Sequence, residues 1–151
     1  MMFAATACLA MAVYYEARSE PIHAQAAVAE VVINRMHHPD YPDTICDVIA
    51  EDRGPKPYDC QFSFMCDGKH ERPNNPQAYQ TALEVASEVL AGNIMGHRAT
   101  HYHTTAVKPV WRHGLTPVGT IGSHIFYTDG SCFLAMGCSP RPKARPEGLA
   151  Q

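Results

Sequence analysis

The stretch Ala4-Ala-Thr-Ala-Cys-Leu-Ala-Met-Ala-Val-Tyr-Tyr-Glu-Ala-Arg18 decides the fold. Leu9, Ala12, Val13 and Glu16 recur at i, i+3, i+4 and i+7, which is one stripe of an α-helix. The spacing predicts a first helix over about Ala4 to Arg18, with its apolar stripe turned to the core. The fourth member of that stripe is a carboxylate. An ionised carboxylate on a buried stripe is costly, so burial would raise its pKa toward the range a general acid needs. An ion pair with Arg18 or Arg35, or a stripe that has already surfaced at Glu16, fits the same spacing. Both readings stand at this point.

Outward from that helix, Ser19 suits an N-cap, with Glu20 and Pro21 in the first turn of a second helix. This helix runs to about Arg35, with Val28, Val31, Val32 and Arg35 on one face. Its alanines let neighbouring backbones approach, and His37, His38, Pro39 and Pro42 end it. From Tyr41 to Asn75 the pattern is irregular, with a short helical piece over Thr44–Glu51. Asn75 and Pro76 form an N-cap and N1 pair. The period of Ala78, Ala82, Val85, Ala86 and Val89 carries another helix to Gly92. Beyond Gly96, Ala99–Thr105 and Ile121–Thr128 read as short strands, separated by Gly114, Pro117 and Gly119. The order of helices followed by a small sheet is an α+β arrangement. Residues 1–138 make one domain, and the Pro- and Arg-rich tail at 139–151 has the composition of a disordered segment.

Composition narrows the class. At 151 residues the chain has one core. A net charge of −3 leaves no basic surplus to neutralise phosphates, so nucleic acid is not an expected partner. The apolar run Ala4–Val13 is too short to span a bilayer. It lacks a basic leader and a cleavage site, so the expectation is either a removed leader or another export route, of the kind phage lysis enzymes use. Six Cys with nine His suggest disulfides or a metal site. Cys60 and Cys66 lie six apart, as do Cys132 and Cys138, wider than a zinc knuckle, which favours disulfides. Six cysteines allow about 15 connectivities, and the sequence does not choose among them.

Two further segments carry chemistry. In Cys60-Gln-Phe-Ser-Phe-Met-Cys66, an extended backbone would aim Gln61 and Ser63 to one side. Amide, hydroxyl and interleaved aromatics suit a sugar. A cross-linked loop that packs Phe62 and Phe64 into the core is the stronger reading from spacing alone. In Thr100-His-Tyr-His-Thr104, a strand would place His101 and His103 on one face, with His124 arriving on its neighbour. Three His could hold a catalytic zinc with Glu16 as base, although the H-E-x-x-H spacing is absent. A polar cleft wall or hydrogen-bonded structural histidines are the stronger reading. His23, His37, His38, His70, His97 and His113 read as surface residues. Ser63 and Ser123 lack the G-x-S-x-G context of a serine hydrolase.

Five segments in order complete the pattern: Ala12-Val-Tyr-Tyr-Glu-Ala-Arg-Ser-Glu20, Ala27-Val-Ala-Glu-Val-Val-Ile-Asn-Arg35, Cys60-Gln-Phe-Ser-Phe-Met-Cys-Asp-Gly68, Ala99-Thr-His-Tyr-His103 and Ile121-Gly-Ser-His-Ile-Phe-Tyr127. Together they resemble the cell wall hydrolase family of spore cortex-lytic enzymes over roughly residues 8–128. The resemblance implies a lysozyme-like fold, mainly helical with a small antiparallel sheet. It implies cleavage of the N-acetylmuramic acid–N-acetylglucosamine bond of peptidoglycan, either as a lytic transglycosylase or as a muramidase. The family's acid maps onto Glu16, and its Gln-Phe-Ser onto Gln61, Phe62 and Ser63 as cleft residues. Many relatives carry Gly where this chain has Ser19. The spore enzymes have other aromatics at His101 and His103, so no role transfers to those two. Tyr102 and His103 are expected to line the cleft, with Glu20 nearby. The expected partner is the glycan strand, the expected place the periplasm or the cell exterior at the wall, and no cofactor is implied. Two alternatives remain: a zinc-dependent peptidoglycan amidase or peptidase built on His101, His103 and His124, and a non-catalytic glycan-binding module.

Overall fold

The computed structural model describes residues 2–52, 55, 60–66 and 73–132. Cys138 and the tail at 139–151 therefore lie outside the described residues. The elements are α1 (Met2–Ala17), α2 (Ile22–His37), α3 (Ile45–Ala50), α4 (Pro76–Leu90), β1 (His101–Thr104), β2 (Thr116–Ile121) and β3 (His124–Thr128). Single 3-10 turns occur at Ser63–Met65 and Val110–Gly114. The result is the expected α+β arrangement, mainly helical with a small antiparallel sheet.

Local chemistry sets most of the boundaries. The Thr44 hydroxyl accepts from the Asp47 N–H and caps α3. The Asn75 side chain accepts from the Ala78 N–H, and Pro76 opens α4. Gly92, with φ of +100°, follows the end of α4 where a left-handed residue is favoured. Ser19 does not cap α2. The N-cap is Pro21, whose carbonyl accepts from the N–H groups of Ala24 and Gln25. The helix thus begins later than expected, because the chain after α1 first turns with the Glu20 N–H donating to the Ala17 carbonyl.

The sheet has the order β1-β3-β2, all antiparallel. The sequence reading missed β2, because Pro117 and Gly119 look like strand breakers. β2 is an edge strand, and its register slips between Pro117 and Gly119. Proline is tolerated at an edge, and a bulge absorbs the irregularity.

Two apolar clusters share α2. One joins Leu9, Ala12 and Val13 of α1 to Ala29 and Val32 of α2, Val48 and Ile49 of α3, Ala82 and Val85 of α4, and the rings of Phe62 and Phe64. The other sets Ala17, Ala27, Val28 and Val31 against Ala99 and Phe126, so the sheet lies on the opposite face of α2. A helix buried on two sides has little room for polar groups, yet Glu30, Asn34 and Arg35 are all buried in it. Each is satisfied by the backbone segment that enters β1. The Glu30 carboxylate accepts from the N–H groups of Gly96 and His97 at 2.9 Å each. Asn34 donates to the Ala99 carbonyl at 2.8 Å, and Arg35 Nε to the Thr100 carbonyl at 2.7 Å. Three polar side chains spread over little more than one turn of α2 therefore grip residues 96–100.

Among the described residues the cysteines form disulfides. Cys8–Cys46 ties α1 to α3, and Cys60–Cys66 closes the loop that carries Phe62 and Phe64. Cys132 is disulfide-bonded as well.

Candidate active site

Glu16 lies in the last turn of α1, where the buried stripe of Leu9, Ala12 and Val13 emerges. Its side chain is half-buried. The Tyr102 hydroxyl on β1 hydrogen-bonds the carboxylate, and the Arg35 guanidinium acts on it from α2. Burial pushes the Glu16 pKa above its ordinary value, and the Tyr102 bond and the Arg35 charge only partly oppose that push. Tyr102 is pushed well above the usual phenol range, first by burial and then by the Glu16 charge, so it stays a neutral donor. A proton can thus reside on Glu16 nearer neutrality than on a solvated carboxylate, and the phenol holds the carboxyl in place.

Of the two arginines weighed as ion-pair partners of Glu16, Arg18 turns back onto Tyr14, while Arg35 acts on the carboxylate by its charge. Arg18 Nη1 donates to the Tyr14 carbonyl at 3.3 Å, and the guanidinium lies 4.8 Å from the Tyr14 ring centre. Arg35 is buried between the rings of Tyr41 and Phe62, at 5.2 and 5.6 Å from their centres.

The cross-linked loop sits beside this helix end. Phe64 stacks on Tyr15, the residue before Glu16, with ring centres 4.7 Å apart. Phe62 is 2% exposed, so its ring supports Arg35 from below and presents no free face to a sugar. The Phe62 backbone is extended, which sets Gln61 and Ser63 on the other side from its ring. Gln61 is half-buried and Ser63 is exposed. The core-packing reading of the two phenylalanines is the one observed, with Gln61 and Ser63 left at the surface beside it.

Glu20 does not offer a free carboxylate to a ligand, as expected of a substrate contact. Its Oε1 accepts from the Ser123 N–H at 2.8 Å and lies 3.2 Å from His124 Nδ1. Its Oε2 accepts from the Ser123 hydroxyl at 3.3 Å. Gly122, with φ of +59°, completes this turn between β2 and β3. A Cβ there would come within 2.9 Å of the Ala24 side chain.

The three histidines do not converge. In the β1–β3 register, His124 pairs with Thr104, and His103 pairs with Ile125. Directly paired residues share a face, and side chains alternate along a strand. His124 therefore lies on the face of Tyr102, and His101 and His103 lie on the other. His103 is buried there under Trp111 and Tyr127, with ring centres 5.6 and 5.2 Å away. Its Nδ1 meets the Thr104 carbonyl at 2.7 Å, and its Nε2 the Tyr127 hydroxyl at 2.8 Å. His103 accordingly lines no cleft with Glu16, and the strand parity argues against the alternative of a zinc trio. Among the described residues, no group of three His, Cys, Asp or Glu is placed to hold a metal.

Sequence reasoning also missed buried structural histidines. His97 Nδ1 accepts from the Ala99 N–H, so its proton is on Nε2, which donates to the Ala27 carbonyl at 2.9 Å and lies 3.0 Å from Glu30. His38 accepts from the Asp40 N–H at Nδ1 and meets Asp129 with Nε2 at 2.7 Å, which ties the end of α2 to the end of β3. The usable signal was polar residues recurring on the otherwise apolar α2, since each buried polar group needs a partner.

An α+β domain with a half-buried acid at the end of its first helix defines a class, and comparison with known proteins gives it a family. The family model for cell wall hydrolases matches residues 19–127, and the chain belongs to that family. The spore cortex-lytic enzyme of Bacillus subtilis (strain 168) is 35% identical over 121 residues, covering 78% of this chain and 35% of that protein. That of Oceanobacillus iheyensis is 30% identical over 118 residues, covering 78% and 39%. The chain thus spans little more than a third of the length of these curated relatives. Among solved structures, the catalytic domain of the germination-specific lytic transglycosylase SleB from Bacillus anthracis superposes with a TM-score of 0.64 at 29% identity, covering 82% of this chain and 93% of that one. The catalytic domain of the Bacillus cereus SleB protein gives 0.62, also at 29% identity, covering 82% and 89%. The chain matches these two catalytic domains over nearly their full length. No helix among the described residues is long and apolar enough to cross a membrane.

Proposed function

We propose that this domain cleaves the N-acetylmuramic acid–N-acetylglucosamine bond of peptidoglycan, with Glu16 as general acid and then base, acting at the cell wall outside the cytoplasm. The observation that carries the reading is a half-buried carboxylic acid whose pKa is raised by burial and whose carboxyl is hydrogen-bonded by Tyr102. Protonated Glu16 gives its proton to the glycosidic oxygen as the bond to the muramic anomeric carbon breaks and an oxocarbenium-like sugar forms. The carboxylate left behind is stabilised by Tyr102 and by the Arg35 charge. It then accepts a proton from the incoming nucleophile.

A glycosidase with two working carboxylates needs the second at a defined separation. Glu20 is committed to Ser123 and His124, which leaves it poorly suited to that role. A single acid fits lytic transglycosylation, in which the muramic 6-hydroxyl attacks the anomeric carbon and Glu16 takes its proton, giving an anhydro sugar. One structural relative is described as a lytic transglycosylase, which supports the same choice. Gln61 and Ser63, at the surface of the loop next to α1, are proposed to meet the glycan strand.

The test is mass spectrometry of purified peptidoglycan digested by the domain. Soluble muropeptides with anhydro ends are expected, and Glu16→Gln should lose turnover by a factor on the order of 10³ while keeping its fold. Wild-type turnover by Glu16→Gln overturns the assignment of the acid. Reducing ends in place of anhydro ends would make water the nucleophile. Free amines with intact glycan would replace the reading by that of an amidase.

A further inference from the structure

Glu16 and Tyr102 account for the acid and the group that holds it, but not for what holds the phenol. Tyr102 sits on a short strand and its ring could rotate away. Phe126, paired with it across the β1–β3 register, packs against the ring at a centre distance of 5.7 Å. His124, its diagonal neighbour on β3, meets the ring edge-on, with centres 5.2 Å apart and planes at 86°. His124 Nδ1 in turn lies 3.2 Å from Glu20 Oε1, a close polar contact without an aligned hydrogen bond, and the Glu20 carboxylate is anchored twice by Ser123. A closed circuit results. Backbone leads from Glu16 to Glu20, and side chains lead back through His124 and Tyr102 to Glu16.

We propose that Glu20 and His124 are positioning residues, a layer behind Tyr102 that holds its hydroxyl against the Glu16 carboxyl. The inference rests on the reading of Glu16 as the acid. Neither residue needs to touch substrate, since each acts through the next ring or carboxylate. His124 suits the task because it is buried and neutral at working pH: burial lowers its pKa more than the Glu20 charge raises it. A neutral ring does not alter the acid by its own charge. The charged and titratable groups that act on this circuit are Arg35 from α2, Glu16 from α1, Glu20 from the turn before α2 and, across the sheet, His103 of β1.

The sign of the expected effect follows. The Tyr102 bond lowers the Glu16 pKa, so weakening it raises that pKa and moves the alkaline limb of the pH–rate profile upward. Tyr102→Phe should show the full shift. His124→Phe keeps a ring against Tyr102 but loses the tie to Glu20, and should shift the limb in the same direction. It should lower kcat by about ten-fold with apparent KM changed less than about two-fold. The double variant should shift no further than Tyr102→Phe alone, because both act on one bond. Glu20→Gln tests the outer member and guards against a His124→Phe chain that does not fold. Removing the Glu20 charge by itself would lower the limb, whereas loss of positioning raises it.

The experiment measures release of soluble muropeptides against pH for the wild type and these four variants, with circular dichroism as the check of fold. Upward shifts that do not add support the proposal. An unmoved limb in His124→Phe, fully additive shifts in the double variant, or an unmoved or lowered limb in Glu20→Gln overturns it. A wild-type chain that releases nothing, or an active Glu16→Gln, instead overturns the functional reading on which it stands.

Discussion

Replacing Glu30 tests how the sheet is held to the helices. The Glu30 side chain is buried, at 1% exposure, in the middle of α2. It accepts from two backbone N–H groups at 2.9 Å and lies 3.0 Å from His97 Nε2. Glu30→Ala strands both N–H donors and removes the carboxylate from the His97 ring. Each stranded buried donor costs about 1–3 kcal/mol, which gives about 2–6 kcal/mol for the pair. A loss of about 2–6 kcal/mol is therefore expected. That is a large share of the ~5–15 kcal/mol a domain has in total. For a chain of this size it lowers Tm by roughly 4–24 °C. Glu30→Gln keeps one acceptor oxygen and should lose about half as much. Urea unfolding followed by circular dichroism reads both, and an unchanged denaturant slope shows that the unfolded state is the same. A loss under about 1 kcal/mol for Glu30→Ala refutes the view that this carboxylate fastens residues 96–100 to α2.

Other expectations follow from the same structure. Glu16 has a folded-state pKa above its unfolded value, so its contribution to stability is present below the ordinary carboxylate range and is lost as pH rises through the folded pKa. Glu16→Gln should therefore be more stable than wild type at neutral pH and lose that advantage in acid, as thermal melts across pH would show. Asp129 has the opposite sign: bonds from Ser131 and His38 outweigh burial and lower its pKa. Asp129→Asn should be less stable than wild type at neutral pH, with the gap closing as pH falls through the folded pKa, in the same melts. Cys8 and Cys46 are 38 apart in sequence, and their disulfide restricts the unfolded chain by about 4 kcal/mol in the loop-entropy account. The double Ala variant should show a loss of about 2–4 kcal/mol in urea unfolding. Phe126, fully buried, is the one aromatic wholly inside the second cluster, and Phe126→Ala should cost about 3–5 kcal/mol by the same measurement.

The parts of the fold that local chemistry dictates were legible in the residues. The stripe ending at Glu16, the Thr44 and Asn75 caps and the α4 period all have signals within a few positions. The position of α2's start was not, because Ser19 and Pro21 both suit a helix entrance and the turn at Ala17–Glu20 decided between them. β2 was hidden by Pro117 and Gly119, whose tolerance depends on lying at the sheet edge, a fact of tertiary order. The same holds for the histidines. Spacing places His101 and His103 together, but only the strand register shows that His124 faces the other way. Likewise, the pairing of Cys8 with Cys46 depends on α3 returning to α1. Glu16 could be singled out because burial of a carboxylate breaks the pattern of its own helix. Its partners on α2 and β1 are far away in sequence, and no periodicity links them.

The seam between the two apolar clusters runs between Glu16 and Tyr102, the pair proposed to carry the chemistry. Glu16 belongs to the helix that builds the first cluster, and Tyr102 packs against the second. The polar grip of α2 holds residues 96–100, the segment that leads into β1 and Tyr102. On the proposed reading, turnover in this domain doubles as a gauge of how its halves are aligned: a sheet that slides on α2 would take Tyr102 from the acid before the chain unfolds.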